Sequence, residues 1–109
     1  MQTEKLVRDK IPTIIMLEGD SRSFRIALPN EMPKLLSDKL AEESKELGIE
    51  MNQLEIKRDA LLEELADATQ VIYQIVAHFG ISWRELEAMM RDKAEKKGAF
   101  KQGVVLKID

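Results

Sequence analysis

The chain of 109 residues carries 17 lysines and arginines against 20 aspartates and glutamates, a formal charge of -3, with 44% hydrophobic and only 5% aromatic residues. It has no cysteine and a single histidine, His78. That excludes a disulfide framework, a thiol nucleophile, Cys-ligated zinc or iron–sulfur sites and multi-histidine metal clusters. The length is that of one domain, residues 1–109, the scarcity of aromatics favours helical packing, and the charge supplies no global basic field for a nucleic-acid polymer.

In chain order, residues 3–19 show a partly helical apolar pattern through Leu6, Val7, Ile11, Ile14, Ile15 and Leu17. Pro12 either kinks this helix or sits in the first turn of a second short one, and Gly19 with Asp20 stops it. Residues 20–30 read as a loop with an extended stretch around Phe24 to Ala27. The second helix starts near Asn30 or Glu31, with Asn30 as cap and Pro33 tolerated in the first turn. It is expected to run to about Leu47, where Gly48 ends or loosens it. The third helix covers roughly Leu54 to Phe79, with apolar periodicity at Leu61, Leu62, Leu65, Ala68, Ile72, Ile75, Val76 and Phe79, and Gly80 closes it. The fourth follows Ser82, which makes a capping box with Glu85, and ends near Gly98. In the tail, Phe100, Val104, Val105 and Leu106 are expected to pack on the body or on a partner. The pattern predicts an all-α fold, an antiparallel helical bundle of four main helices. No apolar run approaches 18 residues and no apolar signal segment opens the chain, so no membrane is expected and the expected compartment is the cytoplasm.

The acids are informative for where they fall. On a helical wheel of about 100° per residue that starts at Leu61, Glu64 lies inside the apolar sector of the third helix and Asp67 on its flank. Glu63, Gln70 and Gln74 take the solvated side. The second helix repeats the anomaly: Leu36, Leu40 and Leu47 define a stripe that contains Glu43, with Glu46 close by. A single E-x-x-E pair is ordinarily a solvated helix face, and Lys39 four residues before Glu43 is ordinarily a surface ion pair. Two such pairs, each intruding on an apolar stripe, point further. Antiparallel packing gathers Glu43, Glu46, Glu64 and Asp67, whose mutual repulsion and desolvation a hard divalent cation would relieve. Oxygen-only ligation suits Mg²⁺, with Mn²⁺ as the other candidate.

The segment Glu43-Ser44-Lys45-Glu46, followed after seventeen residues by Glu64-Leu65-Ala66-Asp67, resembles the E-x-x-E … E-x-x-D signature of the MazG-like all-α nucleoside triphosphate pyrophosphohydrolases. The opening Lys5-Leu6-Val7-Arg8-Asp9-Lys10-Ile11-Pro12, the approach Lys39-Leu40-Ala41-Glu42-Glu43 and the segment Lys96-Lys97-Gly98-Ala99-Phe100 resemble the phosphoribosyl-ATP pyrophosphohydrolase-like branch. This resemblance implies a helical core that assembles as a homodimer or a dimer of dimers. It also implies Mg²⁺-dependent cleavage between the α and β phosphates of a nucleotide, releasing a monophosphate and pyrophosphate. On that pattern Glu43, Glu46, Glu64 and Asp67 form the metal site, Glu43 or Glu46 also orients or deprotonates the attacking water, and Glu42 stands by the first pair.

For a polyphosphate substrate, Arg8 is a candidate phosphate clamp, and Lys39 either offsets the acids or touches phosphate. Lys96 and Lys97, with Lys93, either complement the C-terminal dipole of the fourth helix or form a basic lid jointed at Gly98. His78 reads as a helix-end residue, and Trp83 as a core or interface anchor. The small chain itself favours self-association, because its aliphatic faces exceed what so few helices can cover. The rival reading is a non-catalytic helical dimer that binds a nucleotide or a protein.

Overall fold

A computed structural model describes residues 3–108. The protein is all-α. Four α-helices span Ile11–Leu17 (α1), Met32–Met51 (α2), Arg58–His78 (α3) and Trp83–Lys97 (α4), and a 3-10 turn at Pro29–Glu31 leads into α2. No strand forms among the described residues, and the stretch around Phe24 to Ala27 is irregular. No described helix is long and apolar enough to cross a membrane. The chain divides into two compact units, Met1–Ile75 and Val76–Asp109, each described by itself below.

In the first unit, Pro12 occupies the first turn of α1, where its missing N–H costs nothing and its fixed φ suits the helix. Residues 3–10 are therefore not helical. The helix closes with Gly19 at φ 90, its N–H bonded to the Met16 carbonyl and the Asp20 N–H to that of Ile15. This is the reverse turn that favours glycine after a helix. The loop beyond is ordered by Arg25, which forks onto both oxygens of Glu4 at 2.8 and 3.0 Å and reaches Glu31 at 2.8 Å. Glu31 in turn accepts the Leu28 N–H at 2.8 Å. The Glu31 carboxylate thus closes the 3-10 turn, while α2 itself has no side-chain cap, so Asn30 does not take the capping role expected from sequence.

Helix α2 does not stop at Gly48. It runs on to Met51, and there Asn52 donates to the Gly48 carbonyl at 2.7 Å and Gln53 to that of Ile49 at 3.0 Å. These side-chain donors satisfy carbonyls that a helix end leaves orphaned. The covered stripe of α2 holds Leu36, Lys39, Leu40, Glu43, Glu46 and Leu47, with Leu36 and Glu43 buried. On α3 the covered side holds Leu61, Glu64, Asp67, Ala68, Val71 and Ile75. Leu62, Leu65 and Ile72 remain 54%, 43% and 37% exposed. The covered face is thus rotated toward the acids, away from the Leu65–Ile72 side that periodicity alone marks as central.

Helix α3 ends with Gly80 at φ 69; the Gly80 N–H bonds to Ala77 and the Ile81 N–H to Val76. In the second unit, Ser82 Oγ accepts the Glu85 N–H and Glu85 accepts the Ser82 N–H, each at 3.1 Å. The capping box stands as expected from sequence. Beyond α4 the tail is irregular, and Phe100, Val104, Val105 and Leu106 are exposed.

Candidate metal centre

Helix α2 supplies Glu43 and Glu46, and helix α3 supplies Glu64 and Asp67. On each helix the i,i+3 spacing puts both acids on one side. Ligand-capable oxygens of Glu43, Glu64 and Asp67 all lie within 4.8 Å of one another. Glu46 stands outside this triad, yet its charge acts on both Glu43 and Glu64. The side chain of Glu43 is 8% exposed.

The electrostatics are those of a cluster short of positive charge. Burial pushes the Glu43 carboxyl up from its ordinary value, Glu46 and Asp67 push it further, and Lys39 only partly opposes them. Burial likewise raises Glu64, followed by the charges of Glu46, Asp67 and Glu43. Each of these causes disfavours the ionised form. Taken as carboxylates, Glu43 Oε2 and Glu64 Oε2 are buried without a hydrogen-bond donor. An orphaned buried charge is costly, so these oxygens need a proton or a cation. The donor set fits a hard divalent ion: it is all oxygen, anionic and converging. The site is therefore able in principle to coordinate a divalent metal.

Three cations border the acids. Lys39, its side chain 16% exposed, lies 3.4 Å from both Glu43 and Glu42. Lys5 reaches Glu42 at 3.2 Å. Burial raises Glu42, but the Lys5 hydrogen bond and the charges of Lys39 and Lys5 outweigh it and hold this carboxyl below the ordinary range. Glu42 is thereby a neutralised neighbour of the cluster. Arg8 donates to Asp67 and to Gln70. The Lys5–Glu42 pair and the part played by Gln70 were not singled out by sequence reasoning, since nothing local pairs residues 37 and 62 positions apart. Lys96 and Lys97 belong to α4 in the second unit, where Lys96 pairs with Asp92 at 3.2 Å. His78 meets Phe79 edge-on at a ring separation of 5.0 Å.

The fold and the site together define an all-α protein with a partly buried carboxylate cluster suited to a divalent cation. Comparison with known proteins finds no matching family model, no matching curated protein and no matching solved structure.

Proposed function

We propose that the protein is a Mg²⁺-dependent nucleotide pyrophosphohydrolase that cleaves between the α and β phosphates of a nucleoside triphosphate or a phosphoribosyl-ATP-like substrate. The observation that carries this reading is the convergence of Glu43, Glu64 and Asp67 oxygens within 4.8 Å, with buried oxygens of Glu43 and Glu64 lacking any donor. It is joined by the resemblance of the acid spacing to the MazG-like pattern. Glu43, Glu64 and Asp67 hold the ion, with Glu46 completing the charge of the set. A divalent ion at such a site supplies positive charge for phosphate oxygens and acidifies water. In this reading Glu43 or Glu46 orients the attacking water or takes its proton. Arg8 and Lys39 border the acids and serve the phosphates. Lys96 and Lys97 are proposed as further phosphate-binding side chains, and the working form is a homodimer or a dimer of dimers.

The test is pyrophosphate release from a panel of nucleoside triphosphates and phosphoribosyl-ATP with Mg²⁺ present. Release that is abolished by chelation and by Glu64→Gln, with helix content kept, is the expected result. A folded, Mg²⁺-binding protein that cleaves nothing in the panel overturns the enzymatic reading and favours the rival nucleotide-binding dimer.

A further inference from the structure

Residues 3–10 form no helix, yet they are tied to both acid-bearing helices. Lys5 is paired with Glu42 on α2, and Arg8 with Asp67 and Gln70 on α3. Leu6 and Val7 between them are only half-buried. The side chains of Lys5 and Arg8 are 54% and 52% exposed. The segment is thus a strap held across the two helices largely by charge, and exposed ion pairs are weak and readily exchanged.

Asp67 is claimed twice. Its Oδ1 accepts from Arg8, and the same carboxylate belongs to the triad with Glu43 and Glu64. The deep end of that triad is unsatisfied: Glu43 keeps a buried oxygen without a donor. Arg8 cannot relieve this, because it is occupied at the exposed end of the cluster by Asp67 and Gln70. A second positive charge placed among the three carboxylates repels the guanidinium and removes most of what holds it.

Resting on the reading of the cluster as a metal site, we propose that the strap is a cation-exchange latch. Arg8 neutralises Asp67 in the metal-free chain and gives it up when a divalent cation binds at Glu43, Glu64 and Asp67. The part of the strap around Arg8 then leaves α3, with Lys5 on Glu42 and Glu4 on Arg25 as the remaining tethers. The Arg8 guanidinium becomes available to an anionic ligand only when the site is loaded. Gln70 is the positioning residue of the latch, since it holds Arg8 at Asp67 without adding charge.

The chain is free of cysteine, so two spin labels can be placed cleanly at Asp9→Cys, beside the released Arg8, and Glu63→Cys, both exposed positions. Calorimetry with Mg²⁺ alone first establishes binding. The label-to-label distance is then measured in chelator and in saturating Mg²⁺. The expected result is a longer and broader distribution with Mg²⁺, and no change in a Glu64→Gln background. Independently, Arg8→Gln is expected to bind Mg²⁺ tighter, on the order of fivefold, because a competing charge is gone. An unchanged distance in a protein that binds Mg²⁺ overturns the latch and leaves the metal site standing. Unchanged or weaker binding by Arg8→Gln also overturns it, since Arg8 would then not compete with the ion. A chain that binds no Mg²⁺ overturns both.

Discussion

Glu43 holds its charge on a stretch of α2 where almost no solvent screens it. Its side chain is 8% exposed, one oxygen faces Lys39 at 3.4 Å, and the other has no donor. Replacing the carboxylate by an amide removes the charge repelled by Glu46 and Asp67 and offers an N–H to a neighbouring acid. Glu43→Gln is therefore expected to raise metal-free stability by about 1 kcal/mol while abolishing any stabilisation by Mg²⁺. Thermal melts in chelator and in Mg²⁺ read both effects, and a less stable metal-free variant would mean that the Lys39 pair outweighs the repulsion. The same physics sets the pH dependence. Glu43 and Glu64 are raised above 4.5 in the folded chain, so their contribution is favourable below that value and is lost as pH rises through their folded pKa values. Glu4, Glu31 and Glu42 are lowered from 4.5, and Asp20 from 3.8, so their contributions are lost only on the acid side. The metal-free melting temperature is expected to rise as the pH is lowered from neutrality toward the ordinary carboxylate range, and to drop once the lowered carboxylates are protonated. Saturating Mg²⁺ should flatten or invert the upper limb. An upper limb equally steep in a Glu43→Gln, Glu64→Gln double variant would dissociate it from the acid cluster.

Local signals were legible at the scale of elements where both partners of an interaction lie within one helical turn. Ser82 and Glu85 make the expected capping box because three residues separate them, and Ser82→Ala is expected to cost about 1 kcal/mol, seen as a lower melting temperature. Four helices, and acids intruding on the covered faces of two of them, were likewise readable from periodicity. Gly48 misleads because glycine is a poor helix former, yet α2 has enough flanking turns to continue to Met51 and finds its closing donors in Asn52 and Gln53. A Cβ built at Gly48 meets nothing within 4 Å, and no positive φ is needed there. Gly48→Ala should therefore stabilise the protein by roughly 0.5–1 kcal/mol, and a fall in melting temperature would show that α2 needs the glycine. Periodicity gave the width of the apolar face of α3 but not which half is covered. Leu65 and Ile72 stay partly exposed while Glu64 and Asp67 turn toward α2's acids. The partners of Lys5, Arg8 and Arg25 were illegible for a different reason: they are set by where the chain returns in space, not by spacing.

The exposed apolar residues belong to the scale of the whole molecule. Among the described residues only Leu36, Ala68 and Val76 are buried apolar side chains. A domain must bury far more than this to offset the entropy of ordering its chain. Leu62, Leu65 and Ile72 form a partly exposed aliphatic side of α3, and Val104, Val105 and Leu106 add a second exposed apolar run in the tail. A second copy of the chain is the occupant proposed for the α3 face, because a two-fold pairing covers the same leucines on both partners at once. The melting temperature should then rise with protein concentration, as expected when folding and association are linked. In such a pairing each substitution acts twice. Leu62→Asp removes two buried side chains and sets like charges across the interface, so the dissociation constant is expected to rise on the order of 100-fold or more. Light scattering over a dilution series reads this directly. If the variant monomer does not fold alone, its cooperative melt should vanish at low concentration and return at high concentration. A wild-type chain that stays monomeric and melts at one temperature across the series would show that these leucines need no partner, and the metal site would then have to work within a single copy.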